Sequence, residues 1–471
     1  MLGLFGALDL GARSLRTQQQ GVEVAGHNLA NVNNPAYARQ RVSISTASSI
    51  SSSIGPQGSG AEAVAIVRVR SSLLDQQIQT ETSVNSALTA RQSALEDAQS
   101  RLGERIGSQG NVTGIDSSAK NGIAQGLSSL FTGFQSLAAS PTSDTQRVLV
   151  RDKAIDLANK FKSTDQQLAD LGTSLNASVQ SGVDQANGLL NDIASLNKQI
   201  TTAEIGAPGA ANDLRDLLQQ KQEQLSQFVR FDSTEASNGA VNVTIGGVLM
   251  VSGNTRTDSL QTFDSGNGQL LVRTASAPAQ LALGAGSIAG AIEVRDTDVA
   301  GLRKDLNTLA AALITQVNAV HAQGFGSDGT TGNDFFTGTG SSDIGVNPAF
   351  KDKPSLIQAS DNATAAGNNK IALALGALAD AKQPTLGDQT FQQSYAQTVA
   401  ELGQKLSSAN NQLADQQAVQ TMLSQQRDSI SGVSVDEELT DLTKFQKAFQ
   451  ASARLISTVD DMLDTIISMK R

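Results

Sequence analysis

Side chains able to do chemistry are few in this chain. Cysteine is absent and only two histidines occur, His27 and His321, far apart in the sequence. The missing cysteine excludes disulfides, thiolate metal sites and cysteine nucleophiles. Each histidine stands without a sequence neighbour suited to general acid–base or ligand work, and reads as a capping or packing residue. Asp328, Asn333 and Asp334 sit in a glycine-rich loop and are oxygen donors of the calcium-binding kind. They lack the glutamate that closes a calcium loop, so a polar turn is the simpler reading. The glycines from Gly284 to Gly290 lack the strand–helix setting and spacing of a dinucleotide loop. No nucleophile elbow, P-loop or zinc spacing occurs, and Asn111-Val112-Thr113 fits a glycosylation sequon only formally. No catalytic residue, cofactor or metal is therefore expected.

What must be positioned is then a surface. Of the 471 residues 39% are hydrophobic, only 3% are aromatic, and none is tryptophan. Cores made of Leu, Ile, Val and Ala favour long helices, and the length calls for more than one domain. A net charge of -10 argues against nucleic acid as a partner. No apolar run is long enough for membrane insertion. The segment Met1 to Leu15 lacks a basic start and places Asp9 inside its apolar stretch, so a conventional cleaved signal peptide is not expected.

Both ends of the chain carry a seven-residue rhythm. Near the C-terminus Leu442, Phe449, Ile456 and Leu463 form one series, and Phe445, Ser452, Val459 and Ile466 a second, three positions later. This is the a/d seam of a coiled coil. Asp436, Glu437 and Glu438 at its start and Lys470 and Arg471 at its end complement the helix dipole. Ser434 with Glu437 is placed for a capping box. Near the N-terminus Leu8, Leu15, Val22 and Leu29 repeat by seven, with Phe5, Ala12 and Gly26 close to the partner positions. That seam is thin, includes Gln19, and needs a partner helix. The two ends are expected to pair.

Between them, 71–230 reads as long helices, with Leu168, Leu171, Leu175, Val179, Val183, Ala186, Leu190, Ile193, Leu196 and Ile200 forming one continuous stripe. The segment from Gly206 to Gly209, with Pro208, breaks it, and a helix from Asn212 to Val229 follows, with Leu214, Leu217, Leu218, Leu225 and Phe228 on one face. Further helices are expected at 300–322 and 391–430. Alternation in Val241–Ile245 and Val248–Val251 around Gly246-Gly247 predicts a hairpin. The fold class expected is mainly α with an inserted β domain: a terminal-helix coiled coil plus a long antiparallel helical bundle. The divisions are 1–41 with 431–471 for the paired termini, 42–230 with 291–430 for the bundle, and 231–290 for the β insert. Residues 42–70 form a connector ending in a strand.

The N-terminal helix leads into His27-Asn28-Leu29-Ala30-Asn31-Val32-Asn33-Asn34-Pro35-Ala36-Tyr37-Ala38-Arg39-Gln40, in which Pro35 forces Asn34 out of the α region. On physical grounds alone this is an elaborate turn. It resembles the N-terminal signature of the flagellar axial family of rod, hook and hook-associated proteins, through Asn28, Asn31, Pro35, Tyr37 and Arg39. Ala36 replaces the usual glycine, so this turn is expected to avoid φ > 0. Gly432 to Glu438 and Phe445 to Arg454 resemble the family's C-terminal stretches, with phenylalanine for two tyrosines. His321 to Gly324 with Thr331 to Phe336 resembles the middle of the hook–filament junction members.

The resemblance implies a structural subunit, not an enzyme. It implies export through the flagellar type III apparatus after a cytoplasmic chaperone has held the C-terminal region. It implies self-association in a helical layer outside the cell, with hook protein below and the second junction protein above. The short β insert suggests that an outer domain found in other members is missing. The residues expected to carry subunit packing are Leu8, Leu15, Val22, Leu29, Leu442, Phe445, Phe449, Ile456, Val459 and Leu463. The competing reading gives them only the pairing within one chain. Other functions compatible with the sequence are a hook or distal-rod subunit and a secreted helical adhesin.

Overall fold

The structure is a computed structural model that describes residues 3–52, 55–103, 122–205 and 209–469. Lys470, Arg471, the segment Gly206 to Pro208 and the Asn111–Thr113 sequon lie outside these residues.

The chain begins with helix α1 (Leu4–Ala30) and ends with α11 (Val435–Ser468). After α1 come strands β1 (Gln40–Thr46), β2 (Ile50–Ser52), β3 (Gly55–Gln57) and β4 (Ala61–Arg68), with β1 paired antiparallel to β4 and β2 to β3. This ribbon lies against α1. The sequence indicated only its last strand, because Ser-rich β1 to β3 lack the alternation of a half-buried strand.

Helices α2 (Ser72–Leu102), α3 (Ile123–Ala139), α4 (Asp144–Ala203) and α5 (Asn212–Phe228) follow. Helix α4 is 60 residues long, and every member of the stripe from Leu168 to Ile200 is buried. Leu217, by contrast, is 45% exposed and does not share the buried face of α5 with Leu218 and Leu225. Strands β5 (Asp232–Glu235), β6 (Val241–Ile245), β7 (Val248–Ser252) and β8 (Thr255–Arg256) form one antiparallel sheet, and β9 (Leu260–Asp264) pairs with β10 (Leu270–Thr274). Val243, Ile245, Met250, Val251, Leu260 and Val272 share one core with Leu190, Ile193 and Leu218. Asn197, fully buried on α4, donates to the carbonyls of Val241 and Gly253 and accepts the amide of Val241.

Helix α6 (Ser287–Glu293) runs through a π-helical turn, Val294–Val299, into α7 (Ala300–His321). Short helices α8 (Ala349–Asp352) and α9 (Lys370–Ala377), and the two-residue strands β11 (Phe336–Thr337) and β12 (Gly345–Val346), occupy the stretch before α10 (Phe391–Ser431). Here lies a second core of α3, α7, α9 and the first half of α4, rich in phenylalanine. Helix α4 thus serves both cores. Antiparallel packing of α10 against α2 completes the bundle.

Candidate assembly site: the paired termini and their joint

Helices α1 and α11 make the largest contact between any two elements of the fold. On α11 the heptad series faces α1, with Val459 buried and Leu442, Phe445, Phe449, Ile456 and Leu463 half-buried. On α1 the facing stripe is Gly11, Ser14, Gly21 and Asn28. A Cβ added at Gly11 would stand 2.8 Å from Ile456, and one at Gly21 2.5 Å from the ring of Phe445. Ser14 and Ser452 share a hydrogen bond of 2.8 Å across the pair. The small residues let the backbones approach, and large α11 side chains fill the space a Cβ would take. Leu8, Leu15, Val22 and Leu29 lie one position further round, half-buried beside this seam instead of inside it. Phe5 is 77% exposed.

Both helices carry apolar side chains that the pair does not cover. Met462 and Ile466 on α11 are 51% and 54% exposed, and Leu455, which leans on α1 at Gly11, is still 41% exposed. Beyond each other, the terminal helices touch mainly the ribbon: Thr17 donates to the carbonyl of Ala61, and Leu10 packs near Gly60.

The signature turn builds the joint between this pair and the bundle. Asn28, 1% exposed, donates to the carbonyl of Gln40 and to Glu438, both at 2.9 Å, and accepts the amide of Gln40. The Tyr37 hydroxyl donates to Asn28 at 2.7 Å. Burial, then the charges of Asp213, Asp216 and Glu438, push that hydroxyl well above its usual pKa, so it keeps the proton it donates. His27 stacks edge-on against Tyr37, with Nδ1 3.2 Å from its hydroxyl. Asn31 donates to the carbonyl of His27, while Pro35 is exposed. The turn contains no residue with φ > 0; Asp388 is the one such non-glycine among the described residues.

Arg39 is the hub. Its side chain, 8% exposed, meets Glu437, lies 2.6 Å from Glu438 and 3.8 Å from Asp441. Burial alone would lower the pKa of the guanidinium, but the bond to Glu437 and the charge of Glu438 outweigh it and raise it. Glu437 is thus bound to Arg39, and Ser434 caps no amide with its side chain, so the capping box expected from sequence does not form. A cation delivered by the other end of the chain takes that carboxylate instead.

On the bundle side Asp216 of α5 accepts the Ala38 amide at 3.0 Å and Arg68 at 2.8 Å. Arg70 bridges Asp75 of α2 and Asp216, and Arg427 of α10 reaches Glu223 of α5. Burial pushes Asp75 up, against the partial relief that Arg70 supplies. The terminal pair is therefore fastened to the bundle by polar groups drawn from the turn, α2, α5, α10 and α11.

Of the residues first considered for chemistry, His321 and Asp328 make contacts that hold the fold locally. His321 is wholly buried between Phe335 and Phe350. Its Nε2 accepts the Gln358 amide at 2.9 Å, so Nδ1 carries the proton and donates to the Asn333 carbonyl at 2.7 Å. Burial pushes its pKa down to about 4. Asp328 accepts the amide and hydroxyl of Thr330, closing its own turn. Among the described residues no group of three or more His, Asp or Glu side chains could hold a metal ion, and no helix is long and apolar enough to cross a membrane.

A family model described as the helical domain of flagellar hook-associated protein FlgK matches residues 110–336. A second, the C-terminal model of flagellar basal body rod proteins FlgEFG, matches 424–469. Flagellar hook-associated protein 1 of Escherichia coli is 24% identical, over 97% of this chain and 98% of that protein. The Bacillus subtilis protein of the same name is 26% identical over 99% of each. The alignment with the Escherichia coli protein spans 554 positions against 471 residues here, so that relative carries at least 83 residues this chain lacks. The solved hook junction protein FlgK from Burkholderia pseudomallei shares the fold, with a TM-score of 0.65 at 16% identity, over 76% of this chain and all of that one. With the terminal pair, the signature turn and the helical body all in place, the chain is similar over nearly its whole length to flagellar hook-associated protein 1 and is a structural subunit of the hook–filament junction.

Proposed function

We propose that the chain builds its junction layer through the terminal pair, which packs against neighbouring copies while the bundle and β insert face outward. The observation that carries this is the apolar surface left over on the pair. Leu8, Leu15, Val22 and Leu29 are only half covered, and Leu455, Met462 and Ile466 are exposed although α1 and α11 are fully engaged with each other. Large apolar side chains uncovered along a stripe mark a contact surface. Identical subunits meeting through two different surfaces make an open helical array, which suits a tube. Of the expected packing residues, Leu442, Phe445, Phe449, Ile456, Val459 and Leu463 serve first to hold α11 on α1, and through it to present the outer stripe.

The same reading divides the chain into the paired termini (1–41 and 431–471), the bundle (42–230 and 291–430) and the insert (231–290). It has hook protein beneath the layer, the second junction protein above, a cytoplasmic chaperone on the C-terminal region before assembly, and type III export without a cleaved signal. The role is structural and not enzymatic. Electron microscopy of cells lacking the gene tests it. Bare hooks with flagellin lost to the medium are expected; normal filaments would sink the reading, and missing hooks would move the subunit to rod or hook. Phe449→Asp, introduced into the full chain, is expected to give the same bare hooks.

A further inference from the structure

We propose that the terminal pair carries two unlike docking faces on opposite sides, and that the α1 face of one copy seats on the α11 face of a second copy. The inference rests on the packing reading above and names the surfaces that reading leaves open.

Helix α1 has two seams. The one that α11 engages runs through Gly11, Ser14, Gly21 and Asn28. One residue after its members, Leu8, Leu15, Val22 and Leu29 repeat by seven. Phe5, Ala12, Gln19 and Gly26 repeat three positions before those. Together they form a second a/d seam, turned from the first by about 100°. It contains no charged residue, and among the described residues no second helix packs along it.

Helix α11 also has a second seam. Ala448, Leu455 and Met462 stand one residue before the facing series Phe449, Ile456 and Leu463. Ala451, Thr458 and Thr465 interleave with them at coiled-coil spacing. None of these six is charged, and all but Ala448 are exposed.

The helices are antiparallel, since Gly11 meets Ile456 and Gly21 meets Phe445. In such a pair, positions displaced in the same sense along both sequences share a side. Thr17 and Asp441 each precede a facing position, and both turn toward the ribbon. Thr17 donates to Ala61 of the ribbon, and Asp441 lies 3.8 Å from Arg39, just before β1. The second seam of α1 is displaced forward and that of α11 backward, so the two look in opposite directions. Beside the α1 seam the flank of α11 carries Asp460, and beside the α11 seam the ribbon covers α1. Each side therefore offers one uncharged helix face.

A second copy is the occupant because each face complements the other. The α1 seam projects Leu8, Leu15, Val22 and Leu29, and the α11 seam receives them with Ala448, Ala451, Thr458 and Thr465 between Leu455 and Met462. Large side chains against small ones is already the arrangement inside the pair, where Phe445 and Ile456 occupy the space at Gly21 and Gly11. Unlike faces on opposite sides make a heterologous contact, which runs on from copy to copy instead of stopping at a dimer.

The chain has no cysteine, so disulfides can be placed at chosen positions. Leu455→Cys is combined in turn with Leu8→Cys, Leu15→Cys, Val22→Cys and Leu29→Cys in the full-length chain, expressed in cells lacking the native gene, and intact filaments are oxidised. The two positions face apart within one copy, so a bridge joins two copies. At least one combination is expected to give a ladder of trimers and longer oligomers. Bridged dimers from a single-cysteine variant, or no bridge in any of the four combinations, would overturn the inference. Ala451→Asp changes a residue exposed in the single copy. It is expected to reduce the fraction of hooks bearing filaments at least tenfold without moving urea unfolding of the purified chain, whereas Ser457→Asp, on the outer flank, keeps the native fraction. Native filament frequency with Ala451→Asp beside bare hooks with Phe449→Asp would remove this inference and leave the packing reading standing. Native frequency with both would remove the two together.

Discussion

Replacing His321 by glutamine should remove a defined slice of the pH dependence of stability. In the folded chain the imidazole is neutral, because Nε2 receives the Gln358 amide and burial holds its pKa near 4 against an ordinary 6.5. In the unfolded chain it protonates freely below that ordinary value. The folded state therefore binds fewer protons between the two, and stability falls as pH drops. The contribution is complete above pH 6.5 and is lost progressively down to about pH 4, at about 1.4 kcal/mol per pH unit, for a total of about 3 kcal/mol. Carboxylates add their own acid sensitivity, but it is common to both proteins and cancels in the difference. Urea unfolding of native chain and His321→Gln at several pH values gives that difference, and amide exchange at Gln358 reports the same event locally. The gap between the two proteins should shrink by about 3 kcal/mol from pH 7 to pH 4. A gap that stays constant over this range would refute the reasoning, as would a Gln358 amide equally protected at both ends of it.

Arg39→Ala strands the buried carboxylate of Glu438 and should weaken the joint by about 3–5 kcal/mol, seen as faster amide exchange in the first turns of α11. Gly21→Ala should force the Phe445 ring aside at a cost of about 1–3 kcal/mol, measurable as lost protection along α1 with the bundle unaffected. Asn197→Ala leaves the Val241 amide and the Val241 and Gly253 carbonyls unpaired beside α4, and urea unfolding should show a loss of about 1–3 kcal/mol.

The C-terminal seam was legible because its knobs are large and apolar and recur every seven residues. Its complement was not, for the opposite reason. Gly11, Ser14 and Gly21 contribute to the contact by being small, and hydropathy registers nothing where a side chain is missing. The visible rhythm of Leu8, Leu15, Val22 and Leu29 therefore drew attention to the neighbouring face. The helices of the bundle followed from the stripe on α4, and the β6–β7 hairpin from its glycines. The first three strands of the ribbon after the turn escaped notice because Ser-rich strands bury little on either face, whereas the fourth was indicated. Arg39 was recognisable as part of a family signature, but its partners Glu437, Glu438 and Asp441 sit at the other end of the chain. Local pattern assigned Glu437 to a cap instead. Pairings across such a distance are made by the fold and leave no periodic trace.

The seam between α1 and α11 also dictates an order of events. Its halves are the first and last helices of the chain, separated by about 400 residues, and closing a loop of that length from an unfolded chain is entropically costly and slow. Local contacts in α2 to α10 form without either end. Once they have formed, the ribbon and the end of α10 already stand on the two sides of the joint, and the remaining search is short. We infer that the terminal pair folds last, so that a chain stopping short of α11 would leave the glycine face of α1 without its complement; amides of α1 protected as early as those of α4 during refolding would refute this. On the packing proposed above, the assembly surface would then exist only once the last helix has been made.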